Sequence, residues 1–306
     1  MKKTDIMIGI YLLAAIVCLF ITLPSGLLDV MLAINITVAF IILFTALYSN
    51  DVLDMQAFPS MLLFTTIFRI ALNVSSTKLI LSTGNPGKVV KAFGSFVAGN
   101  DLVIGVIVFI ILLIVQLIII NKGSERVAEV TARFTLDAMP GKQMAIDADL
   151  NTGAITDKEA KIRREKLQQE ASFFGSMDGA TKYVKGDATA GIIITVIGGI
   201  IMGMTRRGMD ISTALSTYAL LTVGDGLVSQ IPSLLISLSS GIVVTKASKE
   251  VKLPELIIGE LFTTPVVLRI VGIVIAVLGV VTPLPWYVFV PLGAGLIAIS
   301  AVMTQK

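Results

Sequence analysis

The chain has 306 residues, of which 55% are hydrophobic and only 15% charged, and its formal net charge is +3. A mean hydropathy of +0.91 excludes an ordinary soluble globule, where charged residues make up about a quarter. The small net charge gives no sign of a nucleic-acid partner, the single cysteine (Cys18) excludes an internal disulfide, and the absence of histidine removes the commonest metal ligand. No metal and no cofactor is expected.

Charge is unevenly placed. Residues 121–188 hold 22 of the 45 formal charges, 11 basic and 11 acidic, while 102–121, 188–205, 226–245 and 270–305 hold none. A helix rises about 1.5 Å per residue and a bilayer core is about 30 Å thick, so an apolar run of about 20 residues signals a membrane span. Eight runs fit, at 6–23, 29–48, 58–80, 102–121, 189–205, 216–245, 266–283 and 286–303. The expected fold class is membrane all-α, a polytopic bundle of eight transmembrane helices. Residues 1–121 carry spans one to four, 122–188 form a small, mainly helical charged module, and 189–306 carry spans five to eight.

Lys2 and Lys3 precede the first run, but 6–28 is of membrane length and lacks a small-residue cleavage site, so a signal peptide is not expected. Pro24-Ser25-Gly26 and Pro283-Leu284-Pro285 read as tight hairpin links, because proline cannot donate to a continuing helix. An even span count puts both termini on one side. Lys2, Lys3, the module, Lys246, Lys249 and Lys252 share that side, which marks it as cytoplasmic; Lys88, Lys91, Arg206 and Arg207 fall opposite. Trp286 and Tyr287 sit where an interfacial aromatic belt is expected.

The third run is unusual. Arg69 lies inside it, followed by Asn73, Ser75, Ser76, Thr77 and Lys78. A charge at the bilayer centre costs at least about 2.5–3.5 kcal/mol. Arg69, Asn73 and Lys78 are therefore expected to face protein or water, or to lie partly outside the bilayer. Gly84-Asn85-Pro86-Gly87 reads as a turn, and 89–98 as a short interfacial or re-entrant helix.

In the module, Val127, Val130 and Phe134 keep helical spacing, with Glu125, Arg126, Glu129 and Arg133 on other faces. Pro140-Gly141 and Asn151-Thr152-Gly153 break the chain, and Thr156 with Glu159 forms a capping box. Ala160, Leu167, Ala171 and Phe174 then share one stripe. About 68 residues is small for an independent core. The module should lean on the membrane helices or on copies of itself.

Asp147, Asp149 and Asn151 imitate the start of a calcium loop, but Thr152 and Lys158 stand where glycine and glutamate are required, so a solvated turn is expected. Gly84 to Lys88 resembles a phosphate loop only loosely, with Val89 in place of the required Ser or Thr. Without histidine no nucleophile–base–orienter set assembles, although Ser–Lys pairs remain formally open; the chain is not read as an enzyme. The better candidates are Asp187, at the mouth of the fifth run, and Asp225, in Gly224-Asp225-Gly226 deep in 211–245. A carboxylate at such a place can bind and release a proton as its desolvation changes. The competing reading is a structural ion pair, such as Asp187 with Lys185. Gly191, Gly198, Gly199 and Gly203 read as close helix packing rather than a pore lining.

Phe68-Arg69-Ile70-Ala71-Leu72-Asn73-Val74-Ser75-Ser76-Thr77 is similar to the signature segment of the bacterial export-gate (FHIPEP) family of type III secretion. Arg126 to Val130, Ala132 to Phe134, Leu136 to Met144, Ile146 to Leu150, Gly175 to Ala180, Gly186-Asp187, Gly224 to Leu227 and Gln230 to Pro232 extend the likeness over essentially the whole chain. The resemblance implies an inner-membrane export component with eight spans and a cytoplasmic loop between the fourth and fifth. It implies a homo-oligomeric ring, nonameric in the family, that couples proton-motive force to export of unfolded proteins. Its partners would be other export-apparatus proteins, the secretion ATPase complex, exported proteins and the lipid membrane. Asp187 aligns with the family's proton-linked aspartate. Arg126, Arg133 and Asp137 align with charged loop positions important to export, and Lys142, Asp147 and Asp149 belong to the same group. The family carries a large C-terminal cytoplasmic domain, and this sequence stops at Lys306, so that domain is expected to lie beyond it. Ser124-Glu125-Arg126 and Met204 to Asp210 look closer to injectisome, virulence-associated members than to flagellar ones.

Two rival readings stand beside the export gate. One is a self-contained proton or sodium channel or secondary transporter built on Asp225, Arg69 and the glycine-rich spans. The other is a passive scaffold whose charges are only ion pairs.

Overall fold

The computed structural model describes residues 3–99, 102–116, 118, 122–183, 201, 204, 208–246, 253–262, 264–281 and 285–304. Every long element among them is a helix. In chain order these are α1 (Lys3–Phe20), α2 (Ser25–Tyr48), a 3-10 turn (Val52–Met55), α3 (Phe58–Thr83), α4 (Lys88–Ala98), α5 (Leu102–Ile114), α6 (Lys122–Asp137), α7 (Met139–Asn151), α8 (Asp157–Tyr183), α9 (Ile211–Thr245), α10 (Leu253–Phe262), α11 (Pro265–Val281) and α12 (Trp286–Thr304).

Seven of the eight predicted runs coincide with a helix. The run at 189–205 lies outside the described residues apart from 201 and 204. By length and apolarity, α2, the 3-10 turn with α3, α9 and α12 can each cross a membrane, and α4 with α5, which meet at 102°, can make a fifth bent crossing or a re-entrant pair. α1 and α11 are apolar but shorter. Length and apolarity therefore support four or five crossings among the described residues. The short α10 was not expected from the sequence.

The chain forms two units, 1–248 and 249–306. In the second, α11 and α12 pair as the proline link predicts, and glycine sets their spacing. A Cβ on Gly272 would lie 2.7 Å from the Gly293 carbonyl oxygen, and one on Gly293 would lie 2.5 Å from that of Gly272. Such contact between backbones gains dispersion energy that Leu or Ile would hold off.

In the first unit α9 is the central helix. Tyr218, Val228, Ile236, Val243 and Val244 are all essentially inaccessible along it. Burial at these positions along the 35-residue helix comes from α2, α3, α4, α5 and α6, which all pack against it, while Ile211, Leu215, Leu234 and Leu238 stay exposed. Gly84 ends α3 in the left-handed region (φ 64°), where a side chain would be strained.

Residues 122–183 pack on one end of this bundle, as their small size requires. Ala128 and Ala132 of α6 and Phe173, Phe174 and Met177 of α8 share a core with Ala46 of α2, Phe58 and Leu62 of α3 and Ile236 of α9. The Ser124 hydroxyl donates to the Ser237 carbonyl of α9 at 2.7 Å. The apolar face expected on α6 is not the packed one: Val127 and Phe134 are 38% and 70% exposed, whereas Ala128 and Ala132 are buried. Small residues let α6 approach α9 closely, and that outweighs the larger area of Phe134. The Thr156–Glu159 capping box forms as expected, with the Thr156 N–H donating to Glu159 Oε2 at 2.9 Å and the Glu159 N–H to Thr156 Oγ1 at 3.3 Å. Ala160, Leu167 and Phe174 are buried on the predicted stripe.

Candidate functional site

Asp225 is the one carboxylate among the buried polar residues described, 9% exposed. Its flanking glycines explain how a carboxylate comes to be enclosed there. A Cβ on Gly224 would lie 2.1 Å from the Val90 carbonyl oxygen of α4, and one on Gly94 would lie 2.6 Å from the Leu220 carbonyl oxygen. On the other flank, a Cβ on Gly226 would lie 2.5 Å from the Phe109 ring of α5. A larger residue at 224 would push α4 away, and one at 226 would displace the Phe109 ring. With glycine at both, α4 and α5 close on the turn that carries Asp225, and Ser76 of α3 lies beside its carboxyl, with its hydroxyl also 2.9 Å from the Asn73 carbonyl oxygen. A hydrogen bond to a charged group contributes about 1.5–3 kcal/mol, too little alone to offset the desolvation of a carboxylate.

The signature segment supplies that contact and several others. The Ser229 hydroxyl has one proton to give and lies 2.5 Å from Asn73 Oδ1 and 2.9 Å from the Asp225 carbonyl oxygen. Pairing 76 with 225 and 73 with 229 makes α3 and α9 antiparallel, and the same register sets Arg69 level with Ser233. Arg69 is 2% exposed and Ser233 6%, so the arginine is enclosed by protein, as its cost in lipid requires. The other face of the segment holds α1. The Ser75 hydroxyl accepts the Leu23 N–H at 3.2 Å, and Lys78 Nζ donates to the Leu19 carbonyl at 2.6 Å and the Phe20 carbonyl at 3.3 Å. Lys78 thus caps the negative C-terminal end of α1. Its charge serves that joint and does not approach Asp225 through any described contact.

At the opposite end of the bundle a second polar group ties α8 to the turn after α2. Lys166 Nζ donates to Asp51 Oδ2 at 3.0 Å, and Lys246, at the end of α9, donates to the Ser49 carbonyl. Partial burial pushes the Asp51 carboxyl up, but hydrogen bonds from Lys166 and the Leu53 N–H, with the Lys166 charge, outweigh it and hold the group below the usual carboxylate range. Lys166 is correspondingly raised, first by its hydrogen bond to Asp51. Burial lowers Lys246, against the attraction of Asp54.

The remaining predicted residues separate into three groups. Lys142, Asp147 and Asp149 join α7 to α8: Lys142 meets Glu170 at 3.2 Å, Asp147 meets Arg164 at 2.5 Å and Asp149 meets Arg163 at 3.1 Å. The two aspartates lie on a helix rather than in the expected turn, and the failed calcium spacing is replaced by arginine pairing. Arg126, Arg133 and Asp137 are exposed along α6, Arg126 beside Glu129 at 3.0 Å. Asp187, with Lys185, lies outside the described residues, as do Arg206, Arg207, Lys249 and Lys252. Asp29 was not singled out by sequence reasoning, yet its carboxylate accepts the backbone N–H groups of Lys88 and Val89, each at 2.9 Å, at the start of α4. The available signal was a lone acid at the head of an apolar run. The loose phosphate-loop likeness at 84–88 has its answer here, because the anion at that helix N-terminus is the protein's own.

Fold and site together define a helical membrane protein with a carboxylate enclosed by three neighbouring helices. Among known proteins it has clear relatives. The chain belongs to the FHIPEP family, whose family model matches residues 15–306. It is 52% identical to the "Flagellar biosynthesis protein FlhA" of Bacillus subtilis, over 100% of this chain and 46% of that protein. It is 47% identical to the protein of the same name in Salmonella typhimurium, over 95% and 43%. It is 49% identical to the "Low calcium response locus protein D" of Yersinia pestis, over 81% and 36%. The chain thus spans less than half the length of these curated relatives. No solved structure matches. The expected leaning toward injectisome members is not supported, since the Bacillus subtilis flagellar protein is more similar than the Yersinia pestis protein, and over more of the chain. Two short motifs carry less information than the whole alignment.

Proposed function

We propose that this chain is the membrane part of a type III protein export gate of the bacterial inner membrane, coupling proton-motive force to the passage of unfolded proteins. In this reading the eight apolar runs all cross the bilayer. Both termini and residues 122–188 are cytoplasmic, and copies assemble into a ring, nonameric as in the family. The ring works with other export-apparatus proteins and the secretion ATPase complex. Asp225 and Asp187 exchange protons, while Arg126, Arg133 and Asp137 present charge to the export machinery. Lys142, Asp147 and Asp149 hold the helices that display it.

The observation that carries the reading is Asp225: a carboxyl enclosed by α3, α4 and α5 on the helix that also bears α6. Protonation removes the cost of burying its charge, so its charge state and the packing around it are linked. A packing residue would be apolar at this position. The experiment replaces Asp225 by asparagine in the full-length protein and measures export together with membrane abundance. Loss of export at normal abundance is expected. Export at the parental rate removes Asp225 from the mechanism.

A further inference from the structure

α4 has 11 residues, and isolated helices below about 12–15 residues are marginal. Contacts from outside must fix where it begins and how it lies. Along its length Val90, Gly94 and Ala98 are buried. At its start the cap comes from another helix. Asp29 of α2 accepts the Lys88 N–H through Oδ2 and the Val89 N–H through Oδ1, both at 2.9 Å. Two of the four donors left free at a helix N-terminus are thereby satisfied, and a negative charge sits at the positive end of the dipole. The residue in the cap position, Gly87, has no side chain to do this. It adopts φ +111°, and a Cβ there would lie 2.4 Å from Asp29 Oδ1. The local sequence leaves the space that the distant carboxylate fills.

We infer that Asp29 is a positioning residue for Asp225, acting through α4. The path is short. Asp29 fixes the first two N–H groups of α4, the next residue is Val90, and the Val90 carbonyl lies against Gly224 beside Asp225. Gly224 and Gly94 meet backbone to backbone, and Phe93 and Val97 pack with Val223 and Leu227 of α9 farther along α4, so it is the first turn, around Val90, that depends on the cap. Without the Asp29 cap, the first turn of α4 lifts from α9 and opens the Asp225 cradle. The consequence for export rests on the reading of Asp225 given above; the positioning itself rests on this geometry alone.

The test uses the full-length protein in permeabilised membranes, with Cys18 and every other native cysteine of that protein replaced by alanine. Val90→Cys places a reporter at a buried position, and Val243→Cys places a control farther along α9. Labelling by a water-soluble maleimide is compared in the parent, Asp29→Ala, Gly87→Ala and Asp29→Asn. Loss of a helix cap implies that the position-90 thiol reacts at least about fivefold faster in Asp29→Ala and Gly87→Ala. Asparagine keeps an acceptor oxygen and restores most of the protection. The position-243 thiol stays protected throughout. Equal labelling at position 90 in parent and Asp29→Ala overturns the assignment. So does joint exposure of both thiols, which would make Asp29 a residue of the fold at large. If labelling changes as expected but export by Asp29→Ala remains parental, the positioning stands and the role of Asp225 in export falls.

Discussion

Gly224→Ala is the sharpest perturbation of the site, because it adds one carbon and removes nothing. That carbon would lie 2.1 Å from the Val90 carbonyl oxygen and 3.0 Å from the Gly94 nitrogen. Favourable contact needs about 3.5 Å, so α4 and α9 must part by roughly 1.4 Å. The obstacle is backbone, which cannot turn aside as a side chain can. Alanine gains up to about 1 kcal/mol over glycine in a helix interior. Overpacking costs about 1–3 kcal/mol, so the net effect is a loss of up to about 2 kcal/mol. Gly123→Ala is the control, since nothing lies within 4 Å of its added carbon. At about 2–4 °C per kcal/mol for a chain of this size, Gly224→Ala should melt several degrees below the control, read by thermal unfolding in detergent. Export should fall with it, because the parted helices no longer enclose Asp225. A melting temperature at or above the control, with full export, would refute the argument that glycine sets this contact.

Lys78→Met keeps the apolar stem but removes the ammonium from the Leu19 and Phe20 carbonyls; a loss of about 1.5–3 kcal/mol is expected, measured by the same melt. The Asp51–Lys166 pair is half exposed on the lysine side, so Lys166→Met should cost no more than about 1 kcal/mol. Asp51 is held below its ordinary value, so its contribution is complete above the unfolded pKa of about 3.9 and disappears as pH falls through the lower folded value. The stability difference between parent and Lys166→Met should therefore persist at neutral pH and vanish only in acid well below pH 4. Phe134→Ser alters a ring that is 70% exposed and should change stability by less than about 0.5 kcal/mol; a larger loss would mean that the face is covered in the assembled protein.

Several parts of this arrangement were legible in the sequence for a simple reason. Apolar runs and the Thr156–Glu159 cap are local, and each formed wherever its residues are described; the hairpin read from Pro24-Ser25-Gly26 did not form, because α1 packs on α3 rather than on α2. Asp225 stood out as a charge in an apolar run, and burial confirms that the position is costly. The partners of these residues were not legible. Lys78 looked like an intramembrane functional charge until the end of α1 was found against it, 58 residues away in sequence. Asp29 and Gly87 are likewise a pair made by the fold. On α6, spacing favoured the larger Val127 and Phe134, but close packing on α9 selects Ala128 and Ala132. Pattern reads which residues are apolar, and contact distance decides which of them are used.

The central claim is that Asp225 is a carboxyl that changes protonation inside the bundle. Infrared difference spectra of the full-length protein in liposomes, as bulk pH is varied, address it directly. A protonated-carboxyl band that responds to pH in the parent and disappears in Asp225→Asn is the predicted result. Identical spectra from the two proteins would contradict it.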